Sequence, residues 1–208
     1  MNRESGVFVT IDGPGAVGKS SLIGAVAAAL TACGVTPLTT CEPTQTPLGE
    51  HLRAGTHTYR GMAMACLIAG DRHHHLATEI DPAVAEGRIV VCDRYLPSSL
   101  VLQGMDGISA EVIWQLHRGI RTPDLTVLLS AEVPVLQHRL ARRGPHSRYE
   151  RHPGASRIET DLYTAAATEL RQMGWPVMEI DTTRRSCESI AAMLADHILQ
   201  LCQRRTPA

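Results

Sequence analysis

Aromatic residues are scarce in this chain: one Phe, two Trp and four Tyr among 208 residues. A chain this long buries a substantial core, so that core must be aliphatic, built from Ala, Val, Leu and Ile. No excess of either charge is present, because 20 Lys and Arg stand against 21 Asp and Glu for a net charge of −1. Neither nucleic acid nor an anionic membrane surface is expected as a partner. No uninterrupted apolar stretch approaches the ~18 residues that a membrane span needs. The six cysteines, at 33, 41, 66, 92, 187 and 202, include no C-x-x-C pair, so a zinc site is not expected. They read as reduced, partly buried thiols of a cytoplasmic protein. Met1-Asn2-Arg3-Glu4-Ser5 leads at once into a strand pattern, and no signal peptide is expected.

What the chain does contain is alternation. Short β-branched runs predict strands over 7–12, 35–40, 88–92, 125–130 and 176–181, and helical patterns fall near 19–33, 58–80, 108–120, 133–142, 158–173 and 186–203. Ile89-Val90-Val91-Cys92 and Leu125-Thr126-Val127-Leu128-Leu129 are almost continuously apolar, as expected of parallel strands covered on both faces. The pattern predicts one α/β domain over 1–208 with a parallel sheet and right-handed crossovers. Residues 144–154 are polar, basic and rich in Gly and Pro; they read as a mobile loop rather than a domain boundary.

Residues 13–20, Gly-Pro-Gly-Ala-Val-Gly-Lys-Ser, match G-x-x-x-x-G-K-[ST] and lie between the first strand pattern and the first helix pattern. Such a loop turns its backbone N–H groups inward to cradle a di- or triphosphate, and the following helix adds its positive end. Gly13, Gly15, Ala16, Val17, Gly18, Lys19, Ser20 and Ser21 are therefore the candidate ATP-binding residues. Lys19 would reach the β- and γ-phosphates, and the Ser20 hydroxyl would ligate Mg²⁺. Asp93, at the C-terminal end of the 88–92 strand, is placed to hold the same Mg²⁺. Glu42-Pro43, Arg53, Asp71-Arg72 and the basic group Arg139, Arg142, Arg143, Arg148 and Arg151 complete the candidate chemistry. Phosphoryl transfer needs such positive charge around the migrating group, and arginines on a closing loop would also exclude water.

Three other features read as structural. His73, His74 and His75 point in directions about 100° apart on a helix and cannot converge on one ion; they read as polar surface with one ring near the pocket. Cys41 reads as a small packing residue, and Trp114 and Trp175 as core or interface anchors.

Over nearly its whole length the chain resembles the thymidylate kinase family. The matched segments are Phe8 to Leu22, Glu42 to Arg53, Gly70 to His75, Asp93 to Gly104, Pro123 to Thr126 and Arg139 to Glu150. The resemblance implies a nucleoside-monophosphate-kinase fold with a five-stranded parallel core, and a homodimer. It implies ATP and Mg²⁺ as cofactors and a small nucleotide-like acceptor. It assigns Arg53, Arg72 and Arg94 to the acceptor pocket, with Arg94 on the acceptor phosphate. Glu42, Ser98 and Gln103 fall in the same matched segments and join the candidate acceptor site. Residues from about 143 to 156 become a lid over ATP, with Arg139 on the nucleotide. Lys19, Asp93, Arg94, Arg143 and Arg148 form the candidate catalytic set.

Four positions depart from the family pattern, all on the acceptor side. Gly15 stands where relatives carry an acid for the sugar 3′-hydroxyl, and Cys41 where they carry a phosphate-binding Arg. Ile68 replaces a ring that stacks on the base, and Leu102 an aromatic residue beneath the sugar. A lost charge-assisted contact is worth on the order of 1.5–3 kcal/mol, and a lost stacking ring roughly 1–3 kcal/mol. The donor side is expected to be intact and the acceptor to differ from dTMP in shape or charge. The expected reaction is transfer to a nucleoside monophosphate. Transfer to a hydroxyl with Glu42 as base, and a nucleotide-binding module without turnover, are the alternatives.

Overall fold

The computed structural model describes residues 6–205. Met1–Ser5, on which the absence of a signal peptide was argued, lie outside them. Strand β1 (Val7–Asp12) is buried along its whole length. Val7, Val9 and Ile11 enter the core on one face of the sheet, and Phe8 enters the core on the other. β2 (Leu38–Cys41), β3 (Ile89–Asp93), β4 (Leu125–Ser130) and β5 (Val177–Asp181) complete a parallel sheet in the order β2-β3-β1-β4-β5. The expected all-parallel α/β architecture is thus observed.

One face is covered by α1 (Lys19–Ala32), α7 (Val133–Arg143) and α9 (Cys187–Arg205), through Leu22, Val26, Leu30, Leu136, Leu194 and Ile198. The other is covered by α4 (Asp81–Ala85), α5 (Leu96–Met105), α6 (Ala110–Leu116) and α8 (Ala155–Gln172). There the few aromatic rings gather: Tyr95 meets Phe8 edge-on at 5.2 Å, and Trp175 meets Trp114 edge-on at 5.8 Å. Trp114 also donates its indole N–H to Glu169 at 2.6 Å, so both Trp residues serve the core.

Several elements differ from expectation, each for a local reason. β2 begins at Leu38 rather than 35, after Pro37, which has no N–H to give a ladder. The expected helix over 58–80 begins at Gly61 as α3 (Gly61–His75) and widens into a π turn at Leu76–Ile80. The helix expected at 108–120 is confined to Ala110–Leu116, between left-handed glycines 107 and 119. α4 carries the 58–80 run on beyond its expected end, and two separate α-helices were not anticipated. α2 (Pro47–Ala54) is short and announced only by its cap, in which Thr46 accepts from the Gly49 N–H and Pro47 opens the first turn. α5 buries Leu96, Ser98, Ser99, Leu100, Val101 and Gln103 alike, so no amphipathic period marks it. The cysteines are free among the described residues, but Cys33 and Cys66 are exposed rather than partly buried, lying at the end of α1 and on the outer side of α3.

Candidate active site

The site forms at the C-terminal end of β1, where the sheet order steps to β3 on one side and β4 on the other, the position at which open α/β sheets bind ligands. The loop after β1 needs left-handed backbone at Gly13 (φ +149°), Ala16 (φ +62°) and Gly18 (φ +106°). At Gly13 a Cβ would also lie 2.6 Å from the Leu129 carbonyl oxygen. Lys19 folds its Nζ onto this loop, donating to the carbonyls of Gly13 (2.7 Å) and Pro14 (2.9 Å). Burial and then the charge of Arg94 push its ammonium down to about 7, against the pull of Asp93, Glu159 and Asp12. Ser20 Oγ donates to Asp93 Oδ2 at 2.9 Å, while Asp93 Oδ1 is buried without a hydrogen-bond partner among the described residues.

Asp12, to which no motif points, organises the wall formed by Tyr95 and Ser98. Its Oδ1 accepts from the backbone N–H groups of Tyr95 (3.2 Å) and Ser98 (3.0 Å) and from Ser98 Oγ (2.7 Å), and its Oδ2 has no hydrogen-bond partner among the described residues. Burial raises its carboxyl above the usual range, opposed by the Ser98 and Tyr95 bonds and by Arg94 and Lys19. Its sequence signal was an acid at the end of a buried strand, directly before the phosphate loop. Arg94 takes φ +73°, donates its N–H to Ile11 O (3.0 Å) and points Nη1 to Ser98 Oγ (3.1 Å). Tyr163 of α8 meets the same Ser98 hydroxyl at 3.1 Å.

The other acceptor candidates separate into two groups. Arg72 is 1% exposed, donating to Glu42 Oε2 (2.6 Å) and Ser99 Oγ (3.0 Å) beneath the Tyr95 ring. Glu42 Oε1 faces His75 Nδ1 at 3.2 Å, so the ring expected near the pocket is His75, with His73 and His74 on the surface. Arg53 is exposed and donates to the Pro43 carbonyl. Cys41, Ile68 and Leu102 are half-buried. Gln103 is buried with its Oε1 unpartnered among the described residues.

A cavity of about 670 Å³ is lined by residues 16–22 of the loop and helix, with Asp93, Arg94, Arg139, Arg143 and Arg185. Arg139 braces the loop, donating to Val17 O and Thr182 Oγ1, both at 3.2 Å. Arg143 pairs with Glu150 at 2.6 Å. Arg185 was not anticipated; it follows β5, and no motif marks it. Arg148 does not line this cavity: it pairs with Asp106 and lies over the Tyr149 ring at 4.1 Å. Arg142 and Arg151 are exposed away from it. The basic group is therefore not one cluster.

Residues 11–185 match the family model for thymidylate kinase. A probable thymidylate kinase of Caldivirga maquilingensis is 33% identical over 177 residues, covering 83% of this chain and 85% of that protein. The thymidylate kinase of Thermomicrobium roseum is 35% identical over 181 residues, 83% of this chain and 86% of its own. That of Chromohalobacter salexigens is 34% identical over 209 residues, 94% and 96% respectively. A phosphate loop with its lysine and a Ser–Asp pair at the sheet's switch point, together with matches along most of the chain, establish that this protein belongs to the thymidylate kinase family and is an ATP-dependent kinase.

Proposed function

We propose that the protein transfers the γ-phosphoryl group of ATP to the phosphate of a nucleoside monophosphate. One observation carries this reading. Lys19 and Arg94 line the same cavity, where burial and, after it, the charge of Arg94 disfavour the Lys19 ammonium. Two cations that repel each other in one cavity are relieved by anions between them, and the transferring phosphoryl group with an acceptor phosphate supplies those anions. Such an acceptor is already ionised near neutral pH, so no general base is needed. Lys19 would neutralise the migrating group while Arg94, fixed by Ser98 and its backbone, would orient the acceptor. Arg139 and Arg143 would hold the donor phosphates. The buried, unpartnered Asp93 Oδ1 beside Ser20 Oγ is the kind of oxygen that a divalent cation or its water satisfies. Ser20 and Asp93 would thus hold Mg²⁺, which when bound spreads charge between the phosphates. Residues from about 143 to 156 would act as the lid of a single domain that works as a cytoplasmic homodimer.

Transfer to a hydroxyl with Glu42 as base has less support, because both Glu42 oxygens are engaged, by Arg72 and by His75. The test is ADP release from Mg-ATP with a panel of nucleosides and nucleoside monophosphates, dTMP included. Turnover with monophosphates only is expected, and turnover with nucleosides only overturns the proposal. Sedimentation at working concentration tests the dimer.

A further inference from the structure

Asp12 joins the two halves of the site. It is the last residue of β1, directly before Gly13 of the phosphate loop, and its side chain crosses to the start of α5, just past the end of β3. There Oδ1 accepts the N–H of Tyr95, the residue that caps α5, and the N–H of Ser98 in its first turn. These are the donors that a helix leaves over at its start, and Tyr95 offers no side-chain cap of its own.

Capping does not account for two features. A neutral Ser or Asn caps a helix as well as an acid does, yet Asp12 is fully buried with Oδ2 unpartnered among the described residues. A buried carboxylate that is only partly hydrogen-bonded is costly. The second feature is the bond from Ser98 Oγ to the same Oδ1, at 2.7 Å. A serine hydroxyl has one hydrogen and two lone pairs, and a carboxylate only accepts. The Ser98 hydrogen is therefore committed to Asp12, and both lone pairs face away from it. Arg94 Nη1 and the Tyr163 hydroxyl, each 3.1 Å from Ser98 Oγ, donate to them. An amide at position 12 would offer donors as well as an acceptor and would leave the direction of the Ser98 hydroxyl open.

We propose that Asp12 is a positioning residue for phosphoryl transfer, which through the Ser98 hydroxyl sets the direction of the Arg94 guanidinium relative to the phosphate loop. The inference rests on the monophosphate-kinase reading above, in which Arg94 meets the acceptor phosphate. Arg94 lines the same cavity as Lys19 and Ser20. Its backbone N–H is fixed on Ile11 O at 3.0 Å, and the tip of its side chain is fixed on Ser98. Both anchors lead back to consecutive residues, Ile11 and Asp12, of the strand that runs into the phosphate loop. Donor-binding and acceptor-binding groups are thus held on one rigid piece. A misplacement of about 1 Å between reacting groups costs on the order of 10²-fold in rate, which is what such a brace would prevent.

The test measures transfer from Mg-ATP to the nucleoside monophosphate that the wild type uses best, by Ser98→Ala, Asp12→Asn and the double variant. Ser98→Ala leaves both amide bonds to Asp12 in place and removes only the hydroxyl. It should lower kcat/KM for the acceptor by about tenfold or more, with KM for ATP within about twofold of the wild type. Asp12→Asn should show a similar acceptor loss. The double variant should fall no more than about threefold below either single one, because both changes break the same relay. Wild-type acceptor kinetics in Ser98→Ala, an equal loss toward ATP, or losses that multiply in the double variant each overturn the proposal, since a cap alone predicts them. Ser98→Ala decides by itself if Asp12→Asn does not fold. No transfer to any monophosphate by the wild type overturns both the proposal and the reading beneath it.

Discussion

Lys19 shows how much a single side chain's state depends on its occupant. In the protein as described, its ammonium is pushed to about 7, by burial first and Arg94 second. A polyphosphate favours the charged form, so ATP binding should take up protons near pH 7. Affinity should then fall as pH rises above 7, where the free protein has lost the charge that the nucleotide needs. Calorimetric titration in buffers of different ionisation enthalpy reads this directly; buffer-independent heats would contradict it. Lys19→Ala should lower kcat by roughly 10²–10³-fold, the scale of one lost charge-stabilising donor, with ADP release as the measurement. At this scale the sequence was most legible where phosphate binding imposes a spacing, at Gly13 to Ser20. It was silent on Glu159, which meets Gly15 across 144 residues of chain. No spacing rule connects residues that only the fold brings together.

Among the elements, the segment between α7 and α8 is tied down at its far side. Asp106, at the end of α5, accepts from Arg148, from Tyr149 OH (3.1 Å) and from the Gly61 N–H (3.2 Å), joining that segment to α3 and α5. Burial opposes ionisation of Asp106, but the Arg148 and Gly61 bonds prevail and hold its carboxyl below the ordinary 3.8. Its contribution is present above that ordinary value and is lost as pH falls through the lower folded value. Asp106→Asn should cost ~1–3 kcal/mol, as expected for a charge-assisted bond lost with its partner left in place. Hydrogen exchange at 144–154 should quicken, and the stability gap from the wild type should close in acid; unchanged exchange would show that the contact does not hold the segment. Arg148 thus read as catalytic from its basic surroundings, because sequence shows a cation but not the anion it faces. α5 escaped notice for the opposite reason, since an element buried on all sides carries no periodic mark.

For the whole molecule, alternating strands and helices were legible because parallel strands buried on both faces must be apolar throughout. The strand order was not, since it depends on how crossovers pack. That order places β1 in the centre and the cavity over its end, so a ligand bound there stabilises the folded sheet by mass action. Mg-ATP at about 100 times its Kd should add ~2.7 kcal/mol of stability. For about 200 residues this corresponds to roughly 5–10 °C in Tm. A thermal scan with Mg-ATP, repeated with EDTA, measures it; an EDTA scan matching the Mg-ATP scan would remove the metal from the account.

Arg94 carries a further consequence. Its φ of +73° is a conformation that costs a non-glycine residue ~1–2 kcal/mol. Glycine would occupy it freely, so Arg94→Gly should be more stable than Arg94→Ala by about 1 kcal/mol, although both are expected to lose acceptor use; chemical denaturation of the two variants measures the gap. The left-handed backbone is thus a cost that any non-glycine side chain at this position must carry, and here it is carried by a partly buried cation held against Ser98.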